Sequence, residues 1–180
     1  MKQYLFFASN ELEERFRRLV TDSKDEIGGW FLCGWLEDHG LSRREIRKVI
    51  PGQIYAIEHI IIAPNLAKKP RGTWSPWDMK KATELSRATA QFYTNWRIHF
   101  HTHPGPGKTG APSDADVAFW QAQGGPGRDS FGCIVTDRPL RLWLWHIDVT
   151  LAASPSRTTV TKECGGFLSW RGKVLKGAKK

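Results

Sequence analysis

The stretch that most constrains this chain runs from Arg97 to Asp116 and reads RIHFHTHPGPGKTGAPSDAD. His99, His101 and His103 alternate with Ile98, Phe100 and Thr102, a period of two that belongs to a β-strand. Pro104 and the Gly105-Pro106-Gly107 run end that strand in a turn. Ser113, followed three residues later by Asp116, then reads as a helix start close to a capping box. His101 and His103 project from the same strand face, and Asp116 in the first helical turn can point back to the strand end. Two imidazoles and one carboxylate with a position left open form the ligand set of a catalytic zinc site. His99 shares the face but lies deeper in the strand, and it ranks below the other two. Taken alone, Ser-x-x-Asp is explained by helix capping and a single strand histidine is usually structural. The combination is what points to a metal.

The rest of the chain supplies more strands and helices in alternation. QYLFFAS reads as a short strand. SNELEERFRRLVTD reads as a helix capped by Ser9 or Asn10, with Leu12, Phe16 and Leu19 on one face. EIGGWFLCGWLED and YAIEHIIIAPN read as strands, and the Ser75-Pro76 start predicts a helix through WDMKKATELSRATAQFY. SDADVAFWQAQ reads as a helix stopped by Gly124-Gly125, and FGCIVTD-RPL-RLWLWHID as a hairpin of two buried strands. Such an order predicts an α/β fold, a mixed β-sheet flanked by helices. No repeat or low-complexity linker interrupts it, so we expect one domain over residues 1–165 and a basic, flexible tail over 166–180.

Composition narrows the function classes. No apolar run approaches the ~20 residues that span a bilayer, and YLFFA is too short for a signal-peptide core, so a soluble, cytoplasmic chain is expected. Cys33, Cys133 and Cys164 are odd in number and far apart, which argues against a disulfide framework and against a thiolate zinc site. The net charge of +9 raises nucleic acid as a partner. However, Lys162, Arg171, Lys173, Lys176, Lys179 and Lys180 stand against Glu163 alone in the last twenty residues, so +5 of the excess is terminal. KKPRG at 68–72 sits in a loop. A nucleic-acid binder gathers its basic residues on a structured face, and none is legible here.

These residues resemble the JAB/MPN (JAMM) zinc peptidases, whose signature is an upstream glutamate, then His-x-His-Pro, then Ser-x-x-Asp. The matching residues are Glu26 in EIGGWFLCG, His101-Thr102-His103-Pro104, Ser113 and Asp116. The resemblance covers about 26 to 145. The family commonly places ten residues between the second histidine and the aspartate, whereas residues 104–115 make twelve, and the extra length falls in GPGKTGAP, which a surface loop can absorb.

The resemblance implies a single-domain JAB/MPN-like (cytidine-deaminase-like) fold and a Zn2+ ion held by His101, His103 and Asp116. It implies Glu26 as the general base and Ser113 as oxyanion donor, the latter beside its role as helix cap. It further implies hydrolysis of a peptide or isopeptide bond after the tail of a ubiquitin or ubiquitin-like protein. Small members of the family occur in bacteria beside ubiquitin-like conjugation genes, including anti-phage operons, so E1-like and E2-like proteins are the expected associates. Trp74, Trp77 and Trp120 are candidates for a substrate groove, with core packing the commoner fate of a tryptophan. Two other classes remain: a catalytically silent JAB/MPN-fold interaction module, and a basic nucleic-acid-associated protein.

Overall fold

The computed structural model describes residues 3–35, 53–68, 96–124, 130–138, 140–147 and 162–168. Chain order is β1 (Gln3–Phe7), α1 (Asn10–Asp22), β2 (Gly28–Trp35), β3 (Gln53–Ala63), β4 (Trp96–His103), α2 (Asp114–Gly124), β5 (Ser130–Asp137), β6 (Leu140–Ile147) and β7 (Lys162–Leu168). The fold is mixed α/β. The strands follow the spatial order β1-β3-β2-β4-β5-β6-β7, and β7 pairs with β1, so the sheet closes on itself rather than ending in two free edges. β1 is parallel to β3 and β7, β4 is parallel to β5, and the other neighbours are antiparallel.

The elements form for local reasons. Ser9 caps α1 by accepting the Leu12 N–H at 3.2 Å. The stride of four from Leu12 through Phe16 to Val20 faces the sheet, and Leu19, expected on that face, is 39% exposed. Val20 takes its place because the buried stripe is narrow: residue 20 continues the line of 12 and 16, and residue 19 lies to one side of it. Glu13 is buried beside this stripe and accepts from Arg17, one turn on, at 2.8 Å.

Alternation along the strands sorts side chains to two faces. One cluster draws Leu5, Phe31, Ile57, Phe100, Val135 and Leu144 from six different strands onto Phe16 and Val20 of α1, and this is the inside of the curled sheet. Phe31 stacks on Phe100 with centroids 4.2 Å apart, and Phe16 meets both edge-on at 5.3 and 5.4 Å. Each such ring contributes on the order of 1.5–3 kcal/mol by burial. The other face carries Ile134 and Ile147 against Val117 and Trp120 of α2. Cys33 and Cys133 are buried, as small hydrophobes. Burial in the first place, and then Glu58 beside it, push the Cys33 thiol well above its ordinary range.

β4, α2 and β5 make a strand–helix–strand crossover, because parallel neighbours cannot be joined by a tight hairpin. Its consequence is that the C-terminal end of β4 meets the N-terminal end of α2. β7 was not legible as a strand, and it carries residues 166–168 into the ring. The expected boundary at 165/166 falls inside β7. Residues 169–180, the Ser75 helix, Trp74 and Trp77 lie outside the described residues. No helix among the described residues is long and apolar enough to cross a membrane.

Candidate metal centre

β4 turns Ile98 and Phe100 to the α1 side and His99 and His101 to the α2 side, as a period of two requires. His101 is 4% exposed, and its Nε2 lies 3.2 Å from Nε2 of His103 and 3.4 Å from Oδ1 of Asp116. Donor atoms from these three residues all fall within 4.8 Å of one another. The structure thus brings together the three residues expected as ligands.

Each donor atom is aimed by a second contact. His103 donates from Nδ1 to the Thr109 carbonyl at 2.9 Å, which in the neutral ring leaves Nε2 with a bare lone pair toward the site. Asp116 divides its oxygens: Oδ2 accepts from the Ser113 N–H at 2.7 Å and from its hydroxyl at 2.8 Å, and Oδ1 faces His101. The Asp116 N–H donates back to Ser113 Oγ at 3.3 Å, so Ser113 and Asp116 form a reciprocal cap. Burial holds the His101 imidazole low, at about 4, and the neighbouring His103 pushes the same way against Asp116. His101 is therefore neutral near pH 7. The Nε2–Oδ1 contact is not an ion pair there, and the ring is ready to donate its lone pair.

His99, ranked below the others, has a different job. Its Nδ1 accepts from the Trp120 indole N–H at 2.8 Å, which places its own proton on Nε2. Burial, and secondarily His101, hold His99 well below its ordinary value, so it too is neutral. Trp120 is fully buried and lies so close over Gly132 that a Cβ there would overlap the indole. It is a core residue and not part of an open groove. Because Trp120 stands one turn after Asp116, its docking on His99 and Gly132 sets where Asp116 sits.

Glu26 precedes β2 and is 9% exposed. Gly28 pairs with His101 across the sheet. The next step is closed by two bonds of 2.8 Å, Thr102 N–H to the Ile27 carbonyl and Ile27 N–H to Thr102 Oγ1. Extended by one more residue, that register would bring Glu26 across from His103. Asn65 fixes the Glu26 carbonyl through its Nδ2 at 2.9 Å. Among the described residues Glu26 is not a member of the three-residue donor group. Thr102 and Asn65 escaped the sequence reading. Thr102 faces away from the histidines by alternation, and Asn65 is separated from Glu26 by 39 positions.

No protein-family model matches this sequence, and no curated protein matches it. Among solved structures, the solution structure of protein DSY2949 from Desulfitobacterium hafniense is similar, with 13% sequence identity and a TM-score of 0.53. The match covers 96% of this chain and 95% of that one. At this identity the likeness is one of fold.

Proposed function

We propose that this chain is a zinc-dependent peptidase or isopeptidase of JAB/MPN type that cuts after the last tail residue of a ubiquitin-like protein. The observation that carries the reading is the convergence of donor atoms from His101, His103 and Asp116. The donor set fits the metal. Ligand atoms of His101, His103 and Asp116 lie within 4.8 Å of one another, close enough for one cation to satisfy all three. Two nitrogens and one carboxylate oxygen suit zinc, with a coordination position left for water or substrate. When bound, zinc supplies Lewis acidity, bringing a water's pKa down to about 7 in favourable sites.

The chain's own residues do the rest. Glu26 lies outside the donor group and can accept the water proton and hand it to the departing amine, which leaves poorly unless protonated. Ser113 holds Asp116 through both its N–H and its hydroxyl. For the hydroxyl to donate to a developing oxyanion it swings away from Oδ2, while the backbone N–H keeps the carboxylate in place. We place the protein in the cytoplasm of a bacterium, acting with E1-like and E2-like partners of a ubiquitin-like conjugation or anti-phage system.

The test is a ubiquitin-like protein carrying a reporter after its last tail residue, with products identified by mass. A single cut at that junction is expected. Glu26→Gln should keep zinc yet lose on the order of 10²–10⁴ in turnover. Near-normal cleavage by that variant makes another residue the base, and equal cleavage inside unstructured peptides makes the protein a general protease.

A further inference from the structure

Residues 104–113 join β4 to α2, and a linker of this length with Gly105 at φ 108° and Gly107 at φ 73° has the composition of a slack surface loop. It is fastened instead. At its start the Gly105 N–H donates to Oδ1 of Asp137 at 3.0 Å, and Asp137 is itself 5% exposed at the end of β5. Farther along, Gly110 is buried, and its carbonyl accepts the indole N–H of Trp145 at 2.7 Å. The indole of Trp143 covers Gly110 so closely that a Cβ there would overlap it, and Trp143 is tied to β5 by donating to Thr136 Oγ1 at 3.4 Å.

The residue before Gly110 is Thr109, whose carbonyl receives His103 Nδ1. That carbonyl and the Gly110 N–H share one rigid peptide plane. Swinging it therefore pulls Gly110 out from between the two indoles. We infer that Trp145, with Trp143, is a positioning residue for the metal centre: by clamping Gly110 it fixes the Thr109 carbonyl, and with it the ring orientation and tautomer of His103. The orientation of a residue on β4 is thus set from β6, through a loop that belongs to neither strand. A stretch of chain that absorbs extra length between the two ligand groups needs such a clamp, because its backbone alone does not fix where the Thr109 carbonyl points. The consequence for metal affinity rests on the metal-site reading above, and the ring-orientation part does not.

The experiment compares full-length wild type, Trp145→Phe, Trp145→Tyr and, as a control in the core on the α1 side, Val20→Ala. Two quantities are read: the ring ¹⁵N shifts of His103 in metal-free protein, which report its tautomer, and zinc affinity by competition with a chromophoric chelator. Trp145→Phe and Trp145→Tyr should both turn His103 from a single Nδ1–H form into a mixture, and weaken zinc by about 10-fold. Val20→Ala should lower the urea midpoint and leave both readouts at wild-type values. A wild-type His103 signature in the folded Trp145 variants overturns the inference, as does an equal change in Val20→Ala. If wild type binds no zinc, the metal reading fails, and the ¹⁵N shifts alone still decide for or against the clamp.

Discussion

Replacing Trp120 by phenylalanine should cost the fold about 2–4 kcal/mol, and the reasoning can be checked in parts. Trp120 is fully buried, and its indole N–H is bonded to Nδ1 of a histidine that is itself 5% exposed. Phenylalanine leaves that acceptor buried without its donor, a loss of roughly 1–3 kcal/mol. The missing second ring opens a void over Gly132, worth about 1 kcal/mol more. Helix α2 then sits less firmly, and Asp116, one turn earlier, is displaced from His101, so zinc affinity should fall by about 10-fold. The assay is urea denaturation of metal-free protein in a double-mutant cycle with His99→Leu. In the His99→Leu background the loss from Trp120→Phe should shrink to the void component, about 1 kcal/mol, leaving a coupling energy of about 1–3 kcal/mol. A single-mutant loss under about 0.5 kcal/mol, or one undiminished in the His99→Leu background, would refute the argument.

Protein purified without added metal should carry one zinc per chain, and His101→Ala or His103→Ala should empty the site; full stoichiometry in both variants by elemental analysis removes the metal assignment. The metal-free protein should lose stability in acid. His101 is held at about 4 in the fold against its ordinary 6.5, so above 6.5 both states are neutral and stability is at its maximum. Between 6.5 and 4 only the unfolded chain takes up the proton, and stability falls with pH by about 3 kcal/mol from this group alone. His99 adds in the same direction. Urea midpoints that stay flat from pH 7 to 4.5 contradict this. Ser113→Ala should cost about 1 kcal/mol through the lost cap and weaken zinc by freeing Asp116 Oδ2, whereas unchanged zinc affinity shows that the Ser113 backbone N–H suffices to aim the carboxylate.

The sequence by itself determined what depends on near neighbours. A period of two put His101 and His103 on one face of β4, Pro104 ended that strand, and Ser113 with Asp116 started α2. Those three signals lie within twenty consecutive residues, so the candidate ligand set was readable in full. The strand after Glu26 and the β5–β6 hairpin were readable for the same reason, as apolar runs broken by turns. Only the tertiary structure decided what depends on residues far apart in the chain or on backbone groups that carry no residue identity. The pairing of β7 with β1 closes the sheet through Gly165 and Gly166, which have no side chain to signal a strand. The anchoring of Glu26 needs Asn65, and that of its neighbour Ile27 needs Thr102, which no spacing rule links to them. The aim of His103 depends on a main-chain carbonyl at Thr109, and every residue type offers one. The choice between Val20 and Leu19 was settled by the sheet that α1 packs against, because an apolar residue buries only where a partner surface meets it.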